Sequence, residues 1–335
     1  MNDRRDSSNP PAARARPAPA HPQRRHEPLP WHAPKPAEED PDAPRRVQAI
    51  LDSPTYRPAD RDVDFLDLGA TRGVRLQIDY LKPELLLDRY GVEHTIVVFG
   101  STRIREPAAA QRRVEELLAL LRDNPGDTEL ERRLAVAERL LAKSRYYDAA
   151  RELGRLIGAA GAGPDDHRVM LVTGGGPGMM EAANRGAFDV RAHSIGLNIT
   201  LPHEQYPNPY ITPELCFRFH YFAIRKLHFL LRARALVAFP GGYGTFDELF
   251  ETLTLIQTRK IRPVPVILVG ERYWRRAVDV DFLVEEGVID PEDRDLFWYA
   301  EDAQEIWQGI VQWHEANGTP LYLGRGIHAP GPAGS

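Results

Sequence analysis

An α/β fold with a doubly wound parallel sheet is what this sequence of 335 residues predicts. Short, β-branched apolar runs recur along the chain. Most end in glycine, and most are separated by stretches of helical periodicity. Parallel strands covered on both faces read as continuous apolar runs and need crossover helices between them. Ligands of such sheets bind beyond the carboxyl ends of the strands, where these glycines fall.

The elements follow in chain order. Residues 1–60 hold 13 of the 29 prolines, together with Arg4, Arg5, Arg14, Arg16, Arg24 and Arg25. Large apolar side chains are too few there to offset chain entropy, so residues 1–50 are expected to be a disordered Pro/Arg-rich tail, a spacer or solubilising segment. The segment Ala329–Ser335 reads alike, within a short disordered end at 326–335. One α/β domain is expected over 62–325. Its strands are Thr95–Phe99, Val169–Thr173, Ser194–Leu201, Ala235–Phe239 and Val264–Val269. Between the first two, residues 108–162 carry Leu130, Leu134, Ala137 and Leu141 on one helical face, with Glu131, Arg132, Arg133, Glu138 and Arg139 on the others. Two helices are expected, about 108–122 and 127–160, broken at Asn124-Pro125-Gly126. This inserted helical hairpin would pack on the sheet or serve an oligomer contact.

Composition narrows the function classes. With 42% hydrophobic and 27% charged residues the chain reads as globular. Acidic side chains number 48 against 43 basic, a net charge of −5, so the basic field of a dedicated nucleic-acid binder is missing and no nucleic-acid partner is expected. One cysteine, Cys216, rules out a disulfide framework and a zinc site of cysteine pairs, and fits a reducing, cytoplasmic setting. No run approaches 18 apolar residues, so no membrane span is expected. The start Met1-Asn2-Asp3-Arg4-Arg5 leads into prolines and not into an apolar signal core.

Three glycine turns and one basic pair carry the chemistry. Pro240-Gly241-Gly242-Tyr243-Gly244-Thr245-Phe246-Asp247-Glu248 stands between an apolar strand and a helical run, Phe246–Thr258. Glycine lets a backbone approach a ligand closely, and a helix start presents free N–H groups and partial positive charge, which together suit phosphate. Thr245 can cap the helix or bond a phosphate oxygen. Asp247 and Glu248 sit in the first turn, where the dipole favours carboxylates. Thr173-Gly174-Gly175-Gly176-Pro177-Gly178-Met179-Met180-Glu181 is a second strand–turn–helix; it lacks the Gly-Lys-Ser/Thr ending of a P-loop and the spacing of a dinucleotide loop. Gly100-Ser101-Thr102-Arg103 closes the first strand, and Arg103 could pair with phosphate. Arg225-Lys226 precedes the strand leading to Pro240. Neighbours on a helix do not share a face, so one of them points into the site and the other away. His220 reads as a core or rim residue, and nothing near Cys216 marks a reactive thiol.

The pattern Pro-Gly-Gly-x-Gly-Thr-x-x-Glu at 240–248, with Arg225-Lys226 one helix upstream and Gly174-Gly175-Gly176-Pro177-Gly178-Met179-Met180 before that, resembles the LOG (Lonely Guy) family, often mislabelled lysine decarboxylases. The likeness covers roughly residues 90–315. It implies a Rossmann-like, nucleotide-binding α/β domain, a homodimer or higher oligomer, and a phosphoribohydrolase that splits a nucleoside 5′-monophosphate, such as a cytokinin ribotide or AMP, into free base and ribose 5-phosphate. Carried over by motif, Glu248 and Arg225 are the catalytic pair, and Gly241, Gly242, Gly244 and Thr245 bind phosphate. Gly100, Ser101, Arg103, Gly174, Gly175, Gly176, Gly178, Met179, Lys226 and Asp247 are further candidates for the substrate. No metal and no cofactor is implied. The plant-type pattern has Met three residues before the arginine, where Phe222 stands here, so the base preference stays open.

These residue types suit the reaction. Ribosidic cleavage passes through an oxocarbenium-like state, as in glycoside hydrolysis. A carboxylate can stabilise that charge, hold a ribose hydroxyl or activate water. Lysine decarboxylation instead needs pyridoxal phosphate on a lysine, for which Lys226 is poorly placed. Two other classes compete: a nucleotide or molybdenum-cofactor carrier on the same scaffold, which would not need both Glu248 and Arg225, and a handler of single-stranded DNA, which the net charge opposes.

Overall fold

In the computed structural model, residues 27–29, 32–202 and 206–322 are described. The chain divides into two compact units, residues 1–71 and 72–335. Residues 1–26 and 326–335 of the expected tails lie outside the described residues. Within the stretch expected to lack structure, helix α1 forms over Ala43–Leu51. Its early proline needs no N–H partner there. Helix α2 (Val63–Leu66) follows, with the Asp62 carboxylate accepting from the Phe65 N–H.

The second unit begins with α3 (Arg72–Arg89) and enters the sheet at β1 (His94–Phe99). Then come α4 (Pro107–Asp123), α5 (Thr128–Leu141), α6 (Arg145–Ala159), β2 (Val169–Thr173), α7 (Met179–Asp189) and β3 (Ser194–Ile199). Strand β4 (Cys216–Phe219), α8 (Phe222–Leu231), β5 (Ala233–Ala238), α9 (Tyr243–Gln257) and β6 (Val266–Val269) continue the alternation. The unit closes with α10 (Glu271–Ala277), α11 (Val280–Glu285), β7 (Trp298–Ala300) and α12 (Ala303–Ala316). No helix among the described residues is long and apolar enough to cross a membrane.

The seven strands are all parallel, in the order β4-β3-β2-β1-β5-β6-β7. This is the doubly wound, Rossmann-like arrangement, and the order reverses between β1 and β5. Alternate side chains leave each strand on opposite faces. Ile96, Val98, Leu171, Ala235 and Val237 join α6, α7 and α12 in one core. Val97, Phe99, Met170, Val172 and Leu236 join α3, α8 and α9 in the other. Both faces are apolar because both are covered, which is why the strands read as unbroken apolar runs.

The region 108–162 differs from its expected two helices. The chain breaks again at 142–144, so three helices form. The apolar stripe of α5 packs on Val114 and Leu117 of α4, whereas the stripe of α6 (Tyr147, Ala150, Leu153, Ile157) packs on the sheet side. One straight helix cannot serve two such directions. The inserted hairpin is therefore α4–α5, and α6 is the ordinary crossover between β1 and β2. Strands β4 and β7 were not expected; they are four and three residues long and lie at the sheet edges.

Helices α6 and α7 cross at backbone contact. A Cβ on Gly186 would lie 1.8 Å from the Arg151 carbonyl oxygen, and one on Gly154 would lie 2.1 Å from that of Ala183. Gly186→Ala is expected to destabilise the protein by about 1–3 kcal/mol through overpacking. Gly73→Ala, on α3 with open space around it, should leave the melting temperature equal or higher. Thermal melts of the two variants check this.

Candidate active site

A cleft of about 570 Å3 opens at the carboxyl end of the sheet, between β1 and β5. This is where the strand order reverses and where ligands of such sheets bind. Its walls are the turns after these two strands. Gly100, Ser101 and Arg103 line one side; Gly241, Gly242, Gly244, Thr245, Asp247 and Glu248 line the other, with Arg225 reaching in from α8.

Hydrogen bonds lock these turns together. The Ser101 N–H donates to the Pro240 carbonyl (3.0 Å), and the Met179 N–H to the Ser101 carbonyl (3.1 Å). The Tyr273 hydroxyl donates to the Gly241 carbonyl, and the Trp274 indole N–H to that of Ala238 (3.1 Å). A rigid loop of this kind holds its groups in place without paying ordering entropy on binding. Helix α9 starts at the turn, with Gly242 as its N-cap. The Tyr243 and Gly244 N–H groups have no carbonyl partner among the described residues. Cβ atoms at Gly242 and Gly244 would meet nothing within 4 Å, so their backbone stands open to the cleft. Free N–H groups at a helix start form an anion site.

Glu248, one turn into α9, is 6% exposed. Burial pushes its carboxyl up from 4.5 to about 7, against the opposing pull of the Arg225 and Lys226 charges. The part-buried Arg225 guanidinium lies over the Phe229 ring (5.1 Å), and its Nε donates to the Leu197 carbonyl at 2.7 Å. Burial lowers its pKa and the Glu248 charge opposes that; an arginine remains charged regardless.

The basic pair separates as helix geometry requires. Arg225 enters the cleft. Lys226 turns away and pairs with Asp247 (2.9 Å) and Glu251 (3.1 Å) on α9. The triple-glycine turn does not line the cleft, and neither do Gly178 and Met179. A Cβ on Gly174 would lie 2.5 Å from Arg225 Nη2, so that glycine makes room for the guanidinium. Gly178 (φ 73°) packs on the Ser101–Thr102 backbone, and Met179 is fully buried against Gly100. Gly175 and Gly176 are held by a buried polar network. The Gly175 N–H donates to Thr173 Oγ1 (3.0 Å), and Asn208 Nδ2 donates to the Gly176 carbonyl (3.1 Å) and to Asn184 Oδ1 (3.0 Å). Outside the sequence-derived set, Lys143, Met180, Phe222 and Tyr273 also line the cleft. Of these, Met180 had a signal as the end of the glycine-turn motif, and Phe222 by its place three residues before the arginine. Burial lowers the Lys143 pKa. No group of three or more His, Cys, Asp or Glu suited to a metal occurs among the described residues.

A family model described as "Possible lysine decarboxylase" matches residues 180–310, which contain Arg225 and the whole 240–248 turn. The chain is 30% identical over 183 residues to a probable cytokinin riboside 5′-monophosphate phosphoribohydrolase of Oryza sativa subsp. japonica, covering 51% of this chain and 78% of that protein. A cytokinin riboside 5′-monophosphate phosphoribohydrolase of Arabidopsis thaliana, LOG3, is 31% identical over 187 residues, covering 53% of this chain and 82% of its own. A second from the same plant, LOG1, is 34% identical over 170 residues, covering 49% and 74%. The chain belongs to the LOG family. In this LOG protein the motif glutamate is a buried, strongly perturbed carboxyl that faces a part-buried arginine.

The Glu248 shift has a consequence for stability. The native state holds the proton more tightly than the unfolded chain, so this contribution is complete below about pH 4.5 and is lost as pH rises through 7. Glu248→Gln escapes that loss. Its stability relative to wild type should rise by up to about 3 kcal/mol between pH 5 and pH 8, read as a widening gap between the two melting curves.

Proposed function

We propose that this LOG protein is a hydrolase of N-glycosyl bonds. Water adds to C1′ of a nucleoside 5′-monophosphate, the bond from C1′ to the base nitrogen breaks, and the base departs with a proton, leaving ribose 5-phosphate. The observation that carries this reading is the buried Glu248 carboxyl, within the influence of the Arg225 charge, beside an open helix start. The free N–H groups of α9 and the open backbone of Gly242 and Gly244 would take the 5′-phosphate. This remote anchor supplies binding energy that orients the sugar. Glu248, one turn further along α9, would then face the ribose. Its carboxylate would stabilise positive charge at C1′ and accept the proton of water. Arg225 keeps a carboxylate available in a buried site that otherwise favours the neutral acid. The named activities of the relatives support the same reaction class, with AMP and cytokinin ribotides as the first substrates to try.

Purified protein is incubated separately with AMP, GMP, CMP and isopentenyladenosine monophosphate, and free base and ribose 5-phosphate are separated by chromatography. Wild type should release base, with the rate rising with pH through about 7 as Glu248 ionises. Glu248→Gln should lower the rate by about 10²–10⁴-fold with an intact fold. Wild-type turnover in that variant would remove Glu248 from the mechanism. Tight nucleotide or pterin binding with no base release from any substrate would favour a carrier.

A homo-oligomer belongs to the same proposal. Phe222, Leu227 and Leu231 of α8 and Phe250 of α9 are exposed apolar side chains, and Phe222 also lines the cleft. A second copy over this face would bury them and narrow the site. Light scattering at micromolar concentration should give a dimer or a larger assembly, and a monomer would contradict it.

A further inference from the structure

A second groove, of about 410 Å3, lies beside the cleft, between the β1–α4 connection and the α4–α5 hairpin. Arg103, Arg105, Arg113, Arg132 and Arg133 line it, and no acidic side chain does so among the described residues. Arg113 and Arg132 are paired only with exposed glutamates three residues away on their own helices, Glu116 and Glu129. The Arg113 pair is a single exposed contact and weak, whereas Arg132 holds Glu129 through two hydrogen bonds of 2.7 Å and is the firmer of the two. The side chains of Arg103, Arg105 and Arg133 form no ion pair among the described residues. A solvated helix face alternates its charge signs, whereas this groove gathers five guanidinium groups in a chain of net charge −5. Leu117, Val136 and Leu140 supply an apolar floor beneath them. Thr102, Arg103 and Leu140 line both this groove and the cleft, so the two are continuous.

Guanidinium groups match phosphate oxygens in pairs, and the apolar floor suits the body of a small organic ligand. The geometry points to a second phosphate subsite: the arginine groove of the α4–α5 insert holds a phosphoryl group beyond the one bound at the start of α9. That group comes either from the substrate itself, as a second phosphoryl, or from a separate small phosphorylated molecule seated beside the nucleoside monophosphate. The inference rests on the proposed phosphate position at α9, but the groove has its own readout.

The test uses the full chain and the double variant Arg105→Ser/Arg133→Ser, with calorimetric titration of AMP, ADP and inorganic pyrophosphate. If the substrate's own phosphate fills the groove, ADP binds wild type about tenfold or more tightly than AMP, and the variant loses that difference. If a separate molecule fills it, pyrophosphate binds wild type already saturated with AMP, and the variant binds it about tenfold or more weakly. In either case AMP affinity and base release from AMP stay unchanged in the variant. Equal affinities of wild type and variant for all three probes overturn the inference. Failure of the hydrolase reading is separately visible: no base is released from AMP by either protein, while the arginine-dependent binding persists.

Discussion

Placing a carboxyl and a guanidinium together in a poorly hydrated wall is the constraint from which the site's geometry follows. Glu248 alone would stay protonated near neutral pH, because burial disfavours its charge. Arg225 opposes that, and the neighbouring loops are shaped to keep Arg225 where it can. Gly174 clears space for the guanidinium, the Leu197 carbonyl accepts from Nε, and Phe229 supplies a ring face. The sheet topology brings these pieces together from three separate βα connections. The glycine turn at 174–176 packs behind the arginine, where a Cβ on Gly174 would meet the guanidinium.

Much of the fold was readable in the sequence because its strands are buried on both faces. Continuous apolar runs such as 95–99 and 169–173 carry their own signal, and the glycines that close them mark the end of the sheet where the cleft lies. The strands that escaped notice are short edge strands. Cys216–Phe219 and Trp298–Ala300 are held by pairing to β3 and β6, and pairing between distant segments leaves no local period. The split of 127–160 escaped for a related reason. Both α5 and α6 are amphipathic, and only their separate partners, α4 and the sheet, require the chain to turn at 142–144. At the N-terminal side, a proline at a helix start made 43–51 look irregular, although proline is well tolerated there.

The candidate site was legible where it lies in glycine turns that close strands, at 100–103 and 241–248, and in the arginine that the resemblance marks. Gly241, Gly242, Gly244, Thr245, Asp247 and Glu248 meet in the cleft because they occupy a single turn and the helix it starts. Motif resemblance marked Arg225, but spacing alone could not say which of Arg225 and Lys226 enters the cleft. Their helix positions differ by one residue, and the acids Asp247 and Glu251 that draw Lys226 away sit on another helix. Lys143 and Tyr273 could not be found from spacing, since each reaches the cleft from an element remote in sequence. The arginines of the insert were visible as a polar helix face; that several of them converge with Arg103 on one groove beside the cleft is a property of the packed hairpin alone.

The electrostatics of the site turn on the protonation of one side chain, and that can be observed directly. Carbon-detected NMR of protein labelled at the glutamate carboxyl carbons would follow Glu248 through a pH titration, with Glu248→Gln used to assign its signal. A midpoint near 7 is expected in wild type, and a higher one in Arg225→Gln, where burial acts without the arginine's charge. A midpoint near 4.5 that does not move when Arg225 is replaced would show a solvated, uncoupled carboxylate and would contradict the account.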